Sequence, residues 1–340
     1  MTDYYLLIFV PLLIFFFIFL NQKYSILNSF SGDPHQKFAE KNNVPLIGGI
    51  FILLGFILIF YNFYSNFLII CILIFILGIF SDLKIIKSAQ IRFFLQILSI
   101  FIFIFFNDFL IFDTRIFFLN EILENKFFNY LFVLFCLTIL VNGSNFIDGL
   151  NTLLVGYYLI VSFFLLKTGL IGTIGFEIEI FYKWFLLLVF LYFFNLFKKI
   201  FMGDSGAYLL GLIYGFFIIE IHQNNPLVSP FFIVLILWYP CFELLFSIIR
   251  KISFNKSPLK PDNKHFHQML FLYIRKIFKL KTQSANSLSA NLINFYNFLI
   301  IFWASQKIYD TQYQITLTLL NIIIYVFLYL RIFNKIYKTK

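Results

Sequence analysis

Charge is what this sequence has least of. Of its 340 residues, 12% are Asp, Glu, Lys or Arg, against about 25% in soluble domains. Hydrophobic residues make up 61% and mean hydropathy is +0.90, so polar surface is too scarce to cover a water-soluble globule. Cysteine is nearly missing: Cys71, Cys136 and Cys241 each lie in an apolar run, which excludes a disulfide framework and a Cys-based zinc site. Histidine occurs only 4 times and acidic residues 16 times, so a site built from them has to be concentrated in a few places. Phenylalanine, by contrast, is abundant, with 54 Phe among 23% aromatic residues.

The apolar residues fall in runs long enough to span a bilayer. Spans are expected near 4–20, 46–62, 64–80, 92–110, 128–142, 152–168, 180–196, 206–221, 228–249, 290–304 and 313–333. The expected fold is therefore all-α: a polytopic integral membrane bundle of about eleven transmembrane helices, forming one domain over residues 1–340. The first run lacks a basic n-region and a small-residue cleavage site, so it reads as a retained span. Alternate loops divide the basic residues 21 to 5. By the positive-inside rule the amino terminus then lies outside and the carboxyl terminus in the cytoplasm, in the plasma (inner) membrane. The same rule accounts for the net charge of +10 without invoking nucleic acid.

The polar clusters gather in the basic set of loops. They are Asp33 to Gly49, Ser81-Asp82, Asn142 to Asn151, Lys199 to Gly206 and Lys256 to His267. Asp113-Thr114-Arg115 is a partial exception in the opposite set. Asp82, Asp148 and Asp204 each end an apolar span, where a lone carboxylate is ordinarily a solvated helix end. Three of them beside lysines and histidines suit a diphosphate and a hard cation, which binds through one or two carboxylates plus phosphate oxygens. Asn145 and Asp148 are one helical turn apart and could read the edge of a base, although a capped helix end explains them as well. Gly203-Asp204-Ser205-Gly206 matches the surroundings of a serine-protease nucleophile only by accident, since no β-barrel context exists. The lysines before it and the helix start within it favour phosphate. The basic loop with His265 and His267 could hold pyrophosphate or lipid head groups.

Taken in order, these motifs resemble the polyprenyl-phosphate N-acetylhexosamine-1-phosphate transferases over residues 33–268, with extra carboxyl-terminal helices at 290–333. Asp33-Pro34 with Lys37 and Pro45 to Gly49 resemble the family's first loop. Gly78 to Leu83, followed by Arg92 and Gln96, resembles its paired-Asp loop. Asn142–Asn151 is similar to Asn-x-x-Asn-x-x-Asp-Gly, Lys199–Gly206 is close to verbatim, and Asp262–His267 is similar to the His-x-His-His loop. Departures are Ser81 for the first Asp of the pair, Glu40 for His, Leu46 for Arg, Gln268 for the last His, Lys37 for Arg and Glu243 for Asp.

The resemblance implies transfer of an N-acetylhexosamine-1-phosphate from a UDP-sugar to undecaprenyl phosphate on the cytoplasmic face, starting O-antigen-type polysaccharide synthesis. It implies Mg²⁺, or Mn²⁺ in its place, on Asp204, with Asp82 as base or phosphate-positioning group. Asn145, Asp148 and Phe201 would hold the uridine, and Lys37, Lys264, His265 and His267 the phosphates. Three alternatives stay open: a phospho-MurNAc-pentapeptide transferase, a transporter, and an inactive member in which Ser81 marks the loss. A homodimer also stays open.

Overall fold

The computed structural model describes residues 5–24, 27, 44–255, 257 and 262–337. Its helices begin with α1 (Tyr5–Tyr24), α2 (Gly48–Phe60), α3 (Ser65–Asp82), α4 (Ala89–Asn107), α5 (Phe117–Leu123) and α6 (Lys126–Ile147). There follow α7 (Leu153–Lys167), α8 (Ile178–Leu196), α9 (Gly203–Asn224), α10 (Pro230–Ile236) and α11 (Trp238–Ser253). The chain closes with α12 (Phe266–Phe278), α13 (Thr282–Ala304) and α14 (Thr311–Tyr337). No β-strand occurs among the described residues, in keeping with the all-α membrane bundle.

Each expected span meets a helix or a helix pair, but the count of crossings differs. Among the described residues seven helices are long and apolar enough to cross a membrane alone, and α10 with α11 makes an eighth if taken as one broken span. The apolar part of α1, and α2 and α7, are shorter. With 13 and 15 residues, α2 and α7 rise only roughly 20 Å against a hydrocarbon core of about 30 Å.

The expected single span at 228–249 is bent by 78° between Ile236 and Trp238. Pro240 explains the break, because it has no N–H to offer the Ile236 carbonyl and its ring collides with that group. The freed Ile236 carbonyl accepts instead from the Tyr157 hydroxyl of α7 at 2.9 Å. A buried carbonyl left without a partner would cost about 1–3 kcal/mol, so the tyrosine keeps the bend affordable in an apolar setting.

One helix forms the axis. In its most apolar stretch α9 is 94% buried inside the protein, whereas α4 and α14 are 22% buried and turn the rest outward. The helices α2, α3 and α6 pack around α9. Close approach is possible because Gly78 on α3 lacks a side chain: an added Cβ would lie 2.2 Å from Ser205 Cα. This crossing brings the end of α3 onto the first turn of α9.

The opposite end of the bundle is tied by Arg115. Its guanidinium donates to the Leu227 carbonyl at 2.6 Å, to Pro226 and Tyr309 carbonyls, and to the Thr311 hydroxyl. Asp113 accepts from the Arg115 amide and from Asn120. The Asp113-Thr114-Arg115 cluster, the partial exception among the polar motifs, is thus a clasp joining three connections.

Gly78→Ala forces the α3–α9 crossing apart, since backbone rather than a flexible side chain meets the new methyl. The detergent-purified variant is expected to unfold at a lower temperature, with a loss of about 1–3 kcal/mol. A midpoint equal to wild type would show that the crossing is looser than described.

Candidate active site

The site begins with a helix start that cannot satisfy itself. The first amides of a helix have no partner within it, and those of α9 are buried among α2 and α3. Gly203 enters the helix at φ +67, a conformation open to glycine at little cost, and this turns the Asp204 and Ser205 amides toward α3. There Asp82 accepts from the Asp204 amide at 2.8 Å, from the Ser205 amide at 3.2 Å and from the Ser205 hydroxyl at 2.9 Å. A carboxylate at the positive end of a helix is favoured by the dipole as well. The group expected to act as a base is therefore the cap of α9, supplied by another helix.

Asp204, one residue further, faces the other way. Its Oδ1 accepts from Asn145 Nδ2 at 2.7 Å, and its Oδ2 from Arg92 at 2.8 Å and from the Ser81 hydroxyl. Arg92 also donates to Ser81. Ser81 thus bridges the guanidinium and the carboxylate. Asn142 donates to Gln96 at 3.0 Å, which fixes α6 to α4 beside this cluster. Asp204 keeps 27% of its side chain exposed, so part of this cluster faces solvent.

Asp148 closes α6. The residue is partly exposed, but its carboxyl is enclosed, and burial first, then the Asp204 and Asp82 charges, push its pKa well above the usual carboxylate range. The loop after it is propped from behind. The Asn151 amide donates to Asn286 at 2.9 Å, the Thr152 amide to Asn195, and Asn294 to the Thr152 carbonyl at 2.9 Å.

The histidine loop packs onto the end of α6. His265 stands edge-on to Phe146 with ring centroids 5.0 Å apart, and His267 lies parallel to His265 at 5.7 Å. A Cβ at Gly149 would lie 2.4 Å from His267 Nε2, so the ring abuts the residue after Asp148. Burial chiefly drives the His267 pKa down to about 3, which keeps the ring neutral at working pH. Asp262, ahead of the histidines, accepts two hydrogen bonds from Arg250 at 2.7 and 3.1 Å. Burial alone would raise its pKa, but this pairing outweighs it and holds the carboxyl below its usual value.

The structure thus brings Asp82, Asn145, Asp148, Asp204, His265 and His267 to one end of the bundle. Phe201 joins them through its backbone: its amide donates to the Pro45 carbonyl at 2.9 Å and its carbonyl accepts from Gly48 at 3.0 Å. Lys264 is engaged elsewhere, with its ammonium 5.3 Å from the Phe333 ring and 5.2 Å from the Tyr337 ring of α14. Lys37 and the loop from Asp33 through Asn43 lie outside the described residues.

The sequence places Arg92 and Ser81 in the paired-Asp loop without a role of their own; the structure sets both on Asp204, with Arg92 in the first turn of α4. Among the described residues no group of three or more His, Cys, Asp or Glu could hold a metal ion. A cation here would rest on Asp204 and take its other ligands from substrate phosphate and water. That is the usual habit of Mg²⁺, and a partly exposed carboxylate fits it.

Residues 64–222 match the family described as Glycosyl transferase family 4. The undecaprenyl-phosphate alpha-N-acetylglucosaminyl 1-phosphate transferase of Thermotoga maritima is 28% identical over 250 residues, 73% of this chain and 74% of that one. A protein of the same name in Salmonella typhi is 25% identical over 271 residues, 75% of this chain and 72% of its own. The decaprenyl-phosphate N-acetylglucosaminephosphotransferase of Mycolicibacterium smegmatis is 32% identical over 154 residues, 38% and 37% of the two chains. Over about three quarters of its length the chain is thus similar to polyprenyl-phosphate N-acetylglucosaminyl 1-phosphate transferases. These N-acetylhexosamine-1-phosphate transferases fit the main reading of the sequence and not its alternatives. The matched family region contains the Asp82–Asp204 pair, Asn145 and Asp148 but ends before the histidine loop.

If Asp82 acts as a cap, its replacement shows first in stability. Asp82→Ala removes every acceptor and is expected to cost about 1–2 kcal/mol, while Asp82→Asn keeps one acceptor and loses less. Thermal unfolding of the two variants checks this. Equal midpoints for wild type, Asn and Ala would contradict the capping role.

Proposed function

We propose that this protein moves N-acetylhexosamine-1-phosphate from a UDP-sugar to undecaprenyl phosphate and releases UMP. The single observation that carries the reading is the set around Asp204: a partly exposed carboxylate at the start of the central helix, framed by Asn145, Arg92 and Ser81. Magnesium bound on Asp204 would neutralise charge on the diphosphate.

A phosphate oxygen of the lipid attacks the β-phosphorus. The bond to the oxygen bridging the two phosphates breaks, and UMP leaves with that oxygen. A phosphate monoester has a second pKa of about 6 and is mostly ionised at neutral pH, so the attack needs no strong base. This agrees with an Asp82 whose oxygens are taken up by α9. Arg92 adds positive charge beside the reacting phosphates. His267, neutral and buried against Gly149, and His265 border the place for the diphosphate, while Asn145 and Asp148 line the side where the uridine would lie. Phe201 offers a partly exposed ring beside the start of α9.

The lipid tail finds a natural setting in the Phe-rich outward faces, where Phe94, Phe105 and Phe106 are exposed. We place the active end in the cytoplasm on the distribution of basic residues. A transporter would carry its ionisable groups near mid-depth; here Asp82, Asp148 and Asp204 stand at helix ends.

The test is transfer itself. Purified protein with UDP-N-acetylglucosamine, undecaprenyl phosphate and Mg²⁺ is expected to give UMP and lipid-linked sugar phosphate in equal amounts. Asp204→Asn should lower the rate by at least about 10² with folding intact. UMP release that does not depend on the lipid phosphate, or a variant as active as wild type, would overturn the reading.

A further inference from the structure

The last helix of the chain reaches into the histidine loop. Glu243 of α11 is 1% exposed. One oxygen accepts from the Phe266 amide at 3.0 Å and lies 3.1 Å from His265 Nδ1; the other accepts from the Tyr325 hydroxyl of α14. Tyr325 is itself 2% exposed and is wedged between Phe242, Phe246 and Phe266 with centroids 5.0 to 5.5 Å apart. One turn on, the Tyr329 hydroxyl donates to the Lys264 carbonyl at 3.0 Å. Two further turns bring Phe333 and Tyr337 under the Lys264 ammonium.

A buried carboxylate accepting from several donors has little freedom to turn. A histidine whose Nδ1–H is held by such a carboxylate is fixed in one tautomer and one ring orientation. The His265 ring also accepts from the Gln268 amide in the first turn of α12, which holds it from a second side, and its Nε2 faces Asp262. Asp262 Oδ1 is the acidic atom near it, and at 3.6 Å it is too far for a good hydrogen bond.

We propose that Tyr325 and Glu243 are positioning residues: the hydroxyl from α14 orients the carboxylate of α11, which orients His265 for the diphosphate of the nucleotide sugar. The inference rests on the transfer reaction proposed above for the role of His265. It gives α14, which lies beyond residue 222 where the family match stops, a task in the reaction.

Tyr325→Phe removes one hydroxyl and keeps the packed ring, so it isolates the relay. Two readouts are taken on the full purified chain. The first is the rate at which diethyl pyrocarbonate modifies His265, read by mass spectrometry against His222 at the opposite end of the bundle; it needs no turnover. The second is kcat and KM for the UDP-sugar. Tyr325→Phe is expected to speed His265 modification by about threefold or more as the loop loosens. It should lower kcat by about tenfold with KM within roughly twofold, because orientation matters most in the transition state. Once Glu243→Gln is in place, adding Tyr325→Phe should change neither readout further.

Unchanged modification of His265 overturns the relay, whether or not kcat falls, since the effect then does not pass through that ring. If wild type fails to transfer sugar phosphate, the reaction reading falls. Modification alone then decides whether Tyr325 holds His265: a faster rate supports the relay and an unchanged one rejects it.

Discussion

A helix that starts inside a protein brings N–H groups that neither its own turns nor water can satisfy. The start of α9 is such a place, and much of this molecule is arranged to meet it. Asp82 crosses from the end of α3 to accept from two amides and a hydroxyl. That contact requires the backbones to meet where Gly78 lies against Ser205. The pairing sets two carboxylates close together, Asp82 held by the start of α9 and Asp204 held by side chains and 27% exposed. Carboxylates so close repel one another unless donors stand between. The amides of α9 serve Asp82, while Arg92, Asn145 and Ser81 serve Asp204.

The rest of the active end is built outward from that pair. Asn145 ties the end of α6 to Asp204, Phe146 carries His265, and Gly149 abuts His267. Two late helices support the arrangement from behind. Asn286 and Asn294 of α13 hold the loop after Asp148, and Tyr325 and Tyr329 of α14 hold the histidine loop. Apolar packing in a bilayer gives little directional preference, so hydrogen bonds of this kind fix which loop meets which. Reaction chemistry is thereby concentrated at one end of a bundle whose outer face is nearly all apolar.

The positions of the helices were legible in the sequence because long apolar runs leave few other structures open in a bilayer. The gathering of polar motifs in one set of loops was legible for the same reason, since charge there has nowhere else to go. What could not be read was tertiary. Pro240 was visible, yet the bend it forces depends on Tyr157 being close enough to satisfy Ile236. Asp82 was singled out for its charge, but only the crossing of α3 on α9 reveals a cap. Lys264 was assigned to phosphate with its neighbours, and the aromatic face of α14 that draws it away lies some seventy residues later in the chain. Arg92 follows the acidic motif by ten residues, and its pairing with Asp204 rather than Asp82 follows from which carboxylate the helix start has already taken.

The central claim is that the Asp82 carboxylate holds the first turn of α9 and so sets the place of Asp204. Amide hydrogen exchange at Asp204 and Ser205 tests it most directly, comparing wild type with Asp82→Ala in the same detergent. The account predicts slow exchange in wild type and exchange at least about tenfold faster in the variant, with the middle of α9 still protected. Equal protection of both amides with and without the carboxylate would contradict it.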